Sequence, residues 1–280
     1  MTGDRFRDRE DAGTQLAELV ADLEPYDPVV LALPRGGVAV GAAVARRLGA
    51  PLDVVVARKV GAPGQPELGI GAVAEDGAVV VDRSATTALG IDDERVATLV
   101  RRTRREVARR VALYRGDRPV PPLDGRDAVL VDDGLATGVT AAAALHAVRA
   151  HRPRRLVLAV PVTAPDTADR LAELCDAVVY LCAPEYFRAV GAWYDDFTQV
   201  TDAEVLELLA EADDLDGQGH ARREPPDGHR DATDEPPDGH GLTSDGPPAD
   251  GPAGTTDRIT AADPAEGADA VAEAGTPEPA

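Results

Sequence analysis

Lysine occurs once in this 280-residue chain, at Lys59, cysteine and methionine are nearly absent, and aromatic residues make up 3% of the whole. The two cysteines, Cys175 and Cys182, stand seven apart with no CxxC pair and no histidine at ligand spacing. Neither a disulfide framework nor a zinc site can be built from them, and both are expected as buried, reduced thiols. No uninterrupted apolar run exceeds seven residues, far short of the roughly 20 that a helical membrane span requires. The first fifteen residues are polar and charged and lack the apolar stretch of a secretory leader. These absences predict a cytoplasmic chain with no membrane partner.

Positive charge is the scarcer sign, with 29 Lys+Arg against 50 Asp+Glu and a net charge of −21. A polyanion must be met by clustered cations, so the balance argues against DNA as a partner. The acids gather in residues 213–280, where 17 of them face 4 basic residues and EPPDGH occurs at both Glu224 and Glu235. With so few apolar residues this stretch cannot offset its chain entropy and is expected to be a disordered acidic tail. Residues 12–212 are left as one domain. Within it, nine arginines lie between Asp92 and Arg118 on one long helix whose apolar side carries Val96, Leu99, Val100, Val107 and Val111. Its arginines are expected on a solvated face, an RNA-binding or subunit-contact surface being the alternative.

Across the ordered part, short Val/Leu-rich runs alternate with helical patterns, the signature of strands buried on both faces of a parallel sheet. The expected order is a helix at 14–23, a strand at 29–33, a helix at 38–48, a strand at 52–57 and a Gly/Pro-rich loop at 58–69. A hairpin around Asp76-Gly77 follows, then the arginine helix, a strand at 128–131, a helix at 139–150, a strand at 156–160, a helix at 165–174, a strand at 177–181 and a last helix at 202–211. The fold class is thus α/β, a mostly parallel twisted sheet flanked by helices with a small hairpin hood.

Ligands in open α/β sheets sit beyond the carboxyl ends of strands, and three junctions there are informative: PRGG at 34–37, ARK at 57–59 and DDGLATGVT at 132–140. The third is the strongest. Its loop sets backbone amides, the Thr137 and Thr140 hydroxyls and a helix start around one point, a preformed site for a phosphate dianion. It has no lysine, so it is not a Walker loop, and its glycines do not follow GxGxxG. Asp132 and Asp133 directly precede it, and two carboxylates are good acceptors for a vicinal diol. Phosphate at one end and diol at the other describe a phosphorylated sugar.

Residues 128–140, AVLVDDGLATGVT, resemble the hallmark of the type I phosphoribosyltransferase family, and the resemblance extends over about residues 14–207. It implies that the chain binds 5-phosphoribosyl-1-pyrophosphate and transfers phosphoribose to a nucleobase or other nitrogen acceptor, releasing pyrophosphate. It implies Asp132 and Asp133 at the ribose hydroxyls, and Ala136, Thr137, Gly138, Val139 and Thr140 around the 5′-phosphate. Arg35, Gly36 and Gly37 would then meet the pyrophosphate, as would Arg58 and Lys59 beneath a mobile flap. Magnesium would be carried by pyrophosphate and ribose oxygens, with no dedicated protein metal cage. A homodimer is also implied. Ala136 replaces the acid usual in enzymes for 6-oxopurines, and LPRGG and LATG point to different bases, so the acceptor stays open. Phe187, Trp193, Tyr194 and Phe197 form either a stacking platform for a planar acceptor or a hydrophobic lid. A sensor that binds the sugar donor without transferring it, or a chain working beside a separate enzyme, uses the same residues.

Overall fold

The computed structural model describes residues 5–220 and 257–260. Six parallel strands form the central sheet: β1 Val29–Ala32, β2 Leu52–Val54, β6 Asp127–Val131, β7 Arg155–Val162, β8 Ala177–Cys182 and β9 Asp257–Thr260, in the order β2-β1-β6-β7-β8-β9. A second, antiparallel sheet holds β3 Ala57–Ala62, β4 Gln65–Ala74 and β5 Val79–Val81. The helices are α1 Arg9–Ala21, α2 Gly36–Leu48, α3 Arg83–Ala88, α4 Asp93–Tyr114, α5 Val139–Ala150, α6 Pro165–Ala172 and α7 Asp202–His220. None is long and apolar enough to cross a membrane among the described residues.

Strand alternation divides the core into two layers. Val30, Ala32, Val129 and Val131 face one layer, closed by Leu16 and Val20 of α1, Val40 and Val44 of α2, and Val205 and Leu209 of α7. Val29, Leu31, Ala128 and Leu130 face the other, closed by Ala144, Leu145 and Val148 of α5 and Leu171 of α6. Burial on both faces is why β1 and β6 read as unbroken apolar runs.

Five elements differ from the sequence expectation. The chain is already folded before residue 12: Asp8 caps α1 by accepting from the Asp11 amide, and Phe6 is buried beside Tyr194. The Gly/Pro-rich segment at 58–69 is an antiparallel hairpin turning at Pro63-Gly64, not an open loop. Its alternation is masked by glycines and by register shifts between Val60 and Ala62. The strand expected at 52–57 ends at Val54, because the Val56 amide leaves the parallel sheet to donate to Glu75 Oε2 at 3.0 Å. At the other end, α7 continues past 212 to His220, and Asp257–Thr260 pairs with the edge strand β8. The rest of the expected tail, 221–256 and 261–280, lies outside the described residues.

The hood is tied to the sheet by a buried ion cluster. Arg115, just after α4, meets Asp53 of β2 at 3.3 Å and Glu75 at 2.9 Å, and it donates to the Val54 carbonyl. Burial pushes the Glu75 carboxyl above its ordinary range although Arg115 pulls it down.

Candidate active site

Strand order reverses between β1 and β6: from β1 the chain steps outward to β2, then returns to lay β6 on the other side of β1. The carboxyl ends of these two strands diverge into the crevice where open α/β sheets hold ligands. From β1 come Arg35, Gly36 and Gly37, and from β6 come Asp132 and Asp133. The structure brings both junctions together. A Cβ on Gly36 would lie 1.8 Å from Asp133 Oδ2, and one on Gly37 would lie 2.9 Å from the Asp132 Cα. No side chain fits between the turn and the acids, so glycine at 36 and 37 is a steric requirement of this crevice.

The acids are held in fixed attitudes. Asp132 Oδ1 accepts from the Asp133 amide at 2.8 Å. Burial and the neighbouring Asp133 charge push the Asp132 carboxyl well above the usual carboxylate range. Burial also raises Asp133, against the pull of Arg9. Arg9 Nε donates to Asp133 Oδ2 at 2.8 Å and Arg9 Nη1 to the Thr198 carbonyl at 2.8 Å. The guanidinium lies 3.9 Å from the centre of the Phe197 ring. From the other side, the Tyr194 hydroxyl donates to the Asp133 carbonyl at 2.6 Å.

The loop that follows is anchored by α6. Thr167 Oγ1 donates to the Ala136 carbonyl at 2.7 Å, and Arg170 Nη2 to the Thr137 carbonyl at 2.9 Å. In a trans peptide the next N–H points opposite to the carbonyl, so the amides of Thr137 and Gly138 are turned away from α6. Gly138 caps α5 in a left-handed conformation, φ 66°, and offers no side-chain cap. The first amides of α5, at Val139 and Thr140, therefore lack intrahelical acceptors and carry the positive end of the helix dipole. Ala136 and Thr137 are exposed and Thr140 is half-buried. The result is an amide cradle, exposed at Ala136 and Thr137, that adjoins two carboxylates.

The basic residues are more dispersed. Arg35 Nη1 stands 3.8 Å from Asp202 Oδ1, and Asp202 accepts from the Tyr114 hydroxyl, which in turn accepts from Arg110 Nη1 at 3.1 Å. Arg58 is half-buried, its pKa lowered by burial and by the charge of Arg110. Lys59, the next residue along β3, is exposed. The structure thus gathers Arg35, Gly36, Gly37, Asp132, Asp133 and residues 136–140 at the crevice, and puts Arg58 and Lys59 on the hood. Of the four aromatics, Tyr194 is buried against Phe6 and Phe197, at 5.3 Å and 5.0 Å between ring centres. It braces the acid loop and offers no free face for stacking.

Arg9 and the carbonyl anchors Thr167 and Arg170 are the site residues that sequence reasoning missed. An isolated arginine in a charged N-terminal stretch carries no pattern. The cap sequence D-x-x-D at 8–11 would have placed Arg9 on the first turn of a helix. Among the described residues no group of three or more His, Cys, Asp or Glu side chains is arranged to hold a metal ion.

A phosphoribosyl transferase domain profile matches residues 9–183. Two curated proteins of Mycobacterium tuberculosis, from strains CDC 1551 and H37Rv and each named as a "Putative phosphoribosyl transferase", are 45% identical over 207 residues. That is 74% of this chain and 47% of each relative, so the chain spans about half the length of the curated relatives it matches. The crystal structure of TT1426 from Thermus thermophilus is 49% identical, covers 74% of this chain and 99% of its own, and superposes with a TM-score of 0.64.

Proposed function

The chain belongs to the phosphoribosyl transferase family, and from that premise we propose that it is an enzyme moving phosphoribose from 5-phosphoribosyl-1-pyrophosphate to a nitrogen acceptor. One observation carries the reading: at the switch point, an uncapped helix start with outward-turned amides adjoins a carboxylate pair. The 5′-phosphate binds the amides of residues 136–140 and the Thr137 and Thr140 hydroxyls. The ribose hydroxyls donate to Asp132 and Asp133. Arg9 takes one oxygen of Asp133, which leaves the other oxygen and Asp132 for the sugar.

In the reaction the C1–O bond to pyrophosphate breaks, its electron pair leaving with the pyrophosphate, while the acceptor nitrogen forms the new bond at C1. Positive charge grows on the ribose and negative charge on the leaving group. The Asp132–Asp133 pair lies beneath the sugar and stabilises the first. Arg35 and the Gly36 and Gly37 amides stabilise the second, with Arg58 and Lys59 reaching in from the hood. Holding the sugar at both ends matters more than activating the nitrogen.

The donor set suits magnesium borne by the substrate. Two adjacent carboxylates give hard oxygens, without a third or fourth protein ligand among the described residues, and magnesium retains waters and phosphate oxygens readily. When bound it would neutralise charge on the pyrophosphate. A cytoplasmic homodimer is the form this reading implies.

The test is pyrophosphate release from the sugar donor and magnesium across a panel of purines, pyrimidines and simple amines, with the ribosylated product weighed by mass spectrometry. Release with one acceptor class supports the enzyme. Donor binding with no release for any acceptor would replace transfer by sensing.

A further inference from the structure

A cavity of about 860 Å³ lies between the β3–β4 hairpin and α4. The helix lines it with Arg95, Arg102, Arg105 and Arg109, and the hairpin with Arg58 and Lys59. Glu106 is the one carboxylate among its lining residues, and it is already engaged by Arg109 at 2.9 Å and Arg110 at 3.1 Å. Among the described residues Arg95, Arg102 and Arg105 have no acidic partner. A chain with a net charge of −21 has acids in abundance, yet these three arginines engage none of them among the described residues.

The arrangement is linear. Arg95, Arg102 and Arg109 recur every seven residues and so lie along one side of the helix, with Arg105 between the last two. At 1.5 Å per residue the row is about 21 Å long. Facing cations on both walls repel one another, and burial together with Arg110 already weakens the hold of Arg58 on its proton. An anion threaded between the walls relieves that repulsion. Arg58 and Lys59 are shared with the pyrophosphate contacts proposed above, whereas Arg95, Arg102, Arg105 and Arg109 belong to this cleft alone.

The remaining lining is mostly aliphatic, with Leu99, Val60, Ala62 and Pro66 beside Thr103, and it contains no aromatic ring. Single-stranded nucleic acid is held by bases stacked on aromatic side chains, and this cleft supplies no such platform. We propose that the cleft between the hood hairpin and α4 is a binding site for a linear polyphosphate chain, free or as the tail of a nucleoside triphosphate. The guanidinium row follows the phosphates, and the aliphatic patch around Leu99 accepts whatever the chain carries. The inference shares Arg58 and Lys59 with the reading proposed above, and it is tested through arginines that the reading does not use.

The test is calorimetric titration of the full chain with inorganic tripolyphosphate and, separately, with ATP and GTP. Wild type should bind saturably. Arg102 and Arg105 are exposed, so Arg102→Ala/Arg105→Ala should fold normally and bind at least about tenfold more weakly, with a smaller loss of affinity as salt is raised. Asp132→Asn/Asp133→Asn, which removes the sugar-donor contacts, should bind as wild type does. Equal affinity for all three ligands identifies the bare phosphate chain, and tighter nucleotide binding identifies its carrier. The proposal is overturned if wild type does not bind, if the arginine variant binds undiminished, or if only the aspartate variant loses binding. Tighter binding of a single-stranded RNA oligomer than of any of the three ligands overturns it as well.

Discussion

Arg9, on the first turn of α1, places its Nε 2.8 Å from Asp133 Oδ2, although 124 residues separate the two in sequence. The arginine is nearly enclosed, 11% exposed against 17% for its partner, and its guanidinium is clamped over Phe197. A cation so placed keeps charge on a carboxylate that burial would neutralise. Arg9 is a positioning residue for the acid pair. Arg9→Ala should raise the apparent pKa of Asp133, moving the acid limb of the donor-binding pH profile to higher pH. It should also weaken donor binding at neutral pH by about tenfold, and the lost charge-assisted bond should cost about 1.5–3 kcal/mol of stability. Binding measured from pH 5 to 9 checks this, since a purely structural arginine would lower stability without moving the profile.

Asp132 predicts the opposite for stability. Its carboxyl is held above the ordinary range, so the native state keeps a proton that the unfolded chain has lost. Stability then falls as pH rises from the unfolded pKa towards the folded one. Asp132→Asn stays neutral throughout and can still accept the Asp133 amide. The variant should therefore unfold at higher urea than wild type at pH 7, with the difference closing near pH 3, while donor binding is lost. A less stable Asn variant at pH 7 would contradict the burial argument.

Two glycines can be tested by adding a single methyl. Gly36→Ala drives a Cβ into Asp133 Oδ2 and should abolish donor binding with helix content unchanged by circular dichroism. Gly138→Ala must adopt φ 66° and meets Thr167 Cγ2 at 2.6 Å. The left-handed conformation alone costs about 1–2 kcal/mol, so this variant should lose both stability and phosphate-loop geometry.

The cluster that fastens the hood makes a separate prediction. Arg115→Met would leave Asp53 and Glu75 with buried, unpaired charge, at a cost of about 3–5 kcal/mol. Urea unfolding should show the deficit at pH 7 and a smaller one at pH 4, where the Glu75 carboxyl, raised by burial, takes up a proton. An equal deficit at both values would mean that the arginine acts through packing alone.

How much of this was legible in the sequence depended on whether a residue's role was written in its neighbours. Residues 128–150 combine an apolar run, two acids, a Gly/Thr turn and an alanine-rich helix, and each part constrains the next; α5 starts at Val139 as expected. The Asp76-Gly77 turn announced its hairpin by the same local chemistry, with Asp76 accepting from the Ala78 amide at 2.9 Å. Residues 57–69 hid their pairing because Gly61, Pro63, Gly64 and Pro66 interrupt the period-two pattern by which strands are recognised. Arg9, Thr167 and Arg170 were invisible for a different reason. Their partners are a distant carboxylate and two backbone carbonyls, and only the folded chain brings these within reach. Tyr194 was visible as an aromatic, but its burial under Phe6 was not, because Phe6 lies ahead of the first residue assigned to the domain.

The central claim is that the β6–α5 junction grips a phosphorylated pentose. The most direct measurement is a calorimetric titration of 5-phosphoribosyl-1-pyrophosphate with magnesium into wild type and into Asp132→Asn/Asp133→Asn, both first shown to be folded by their unfolding transitions. Saturable binding to wild type, weakened at least about a hundredfold in the double variant, is the predicted result. Undiminished binding in the variant, or none in wild type, would contradict the account.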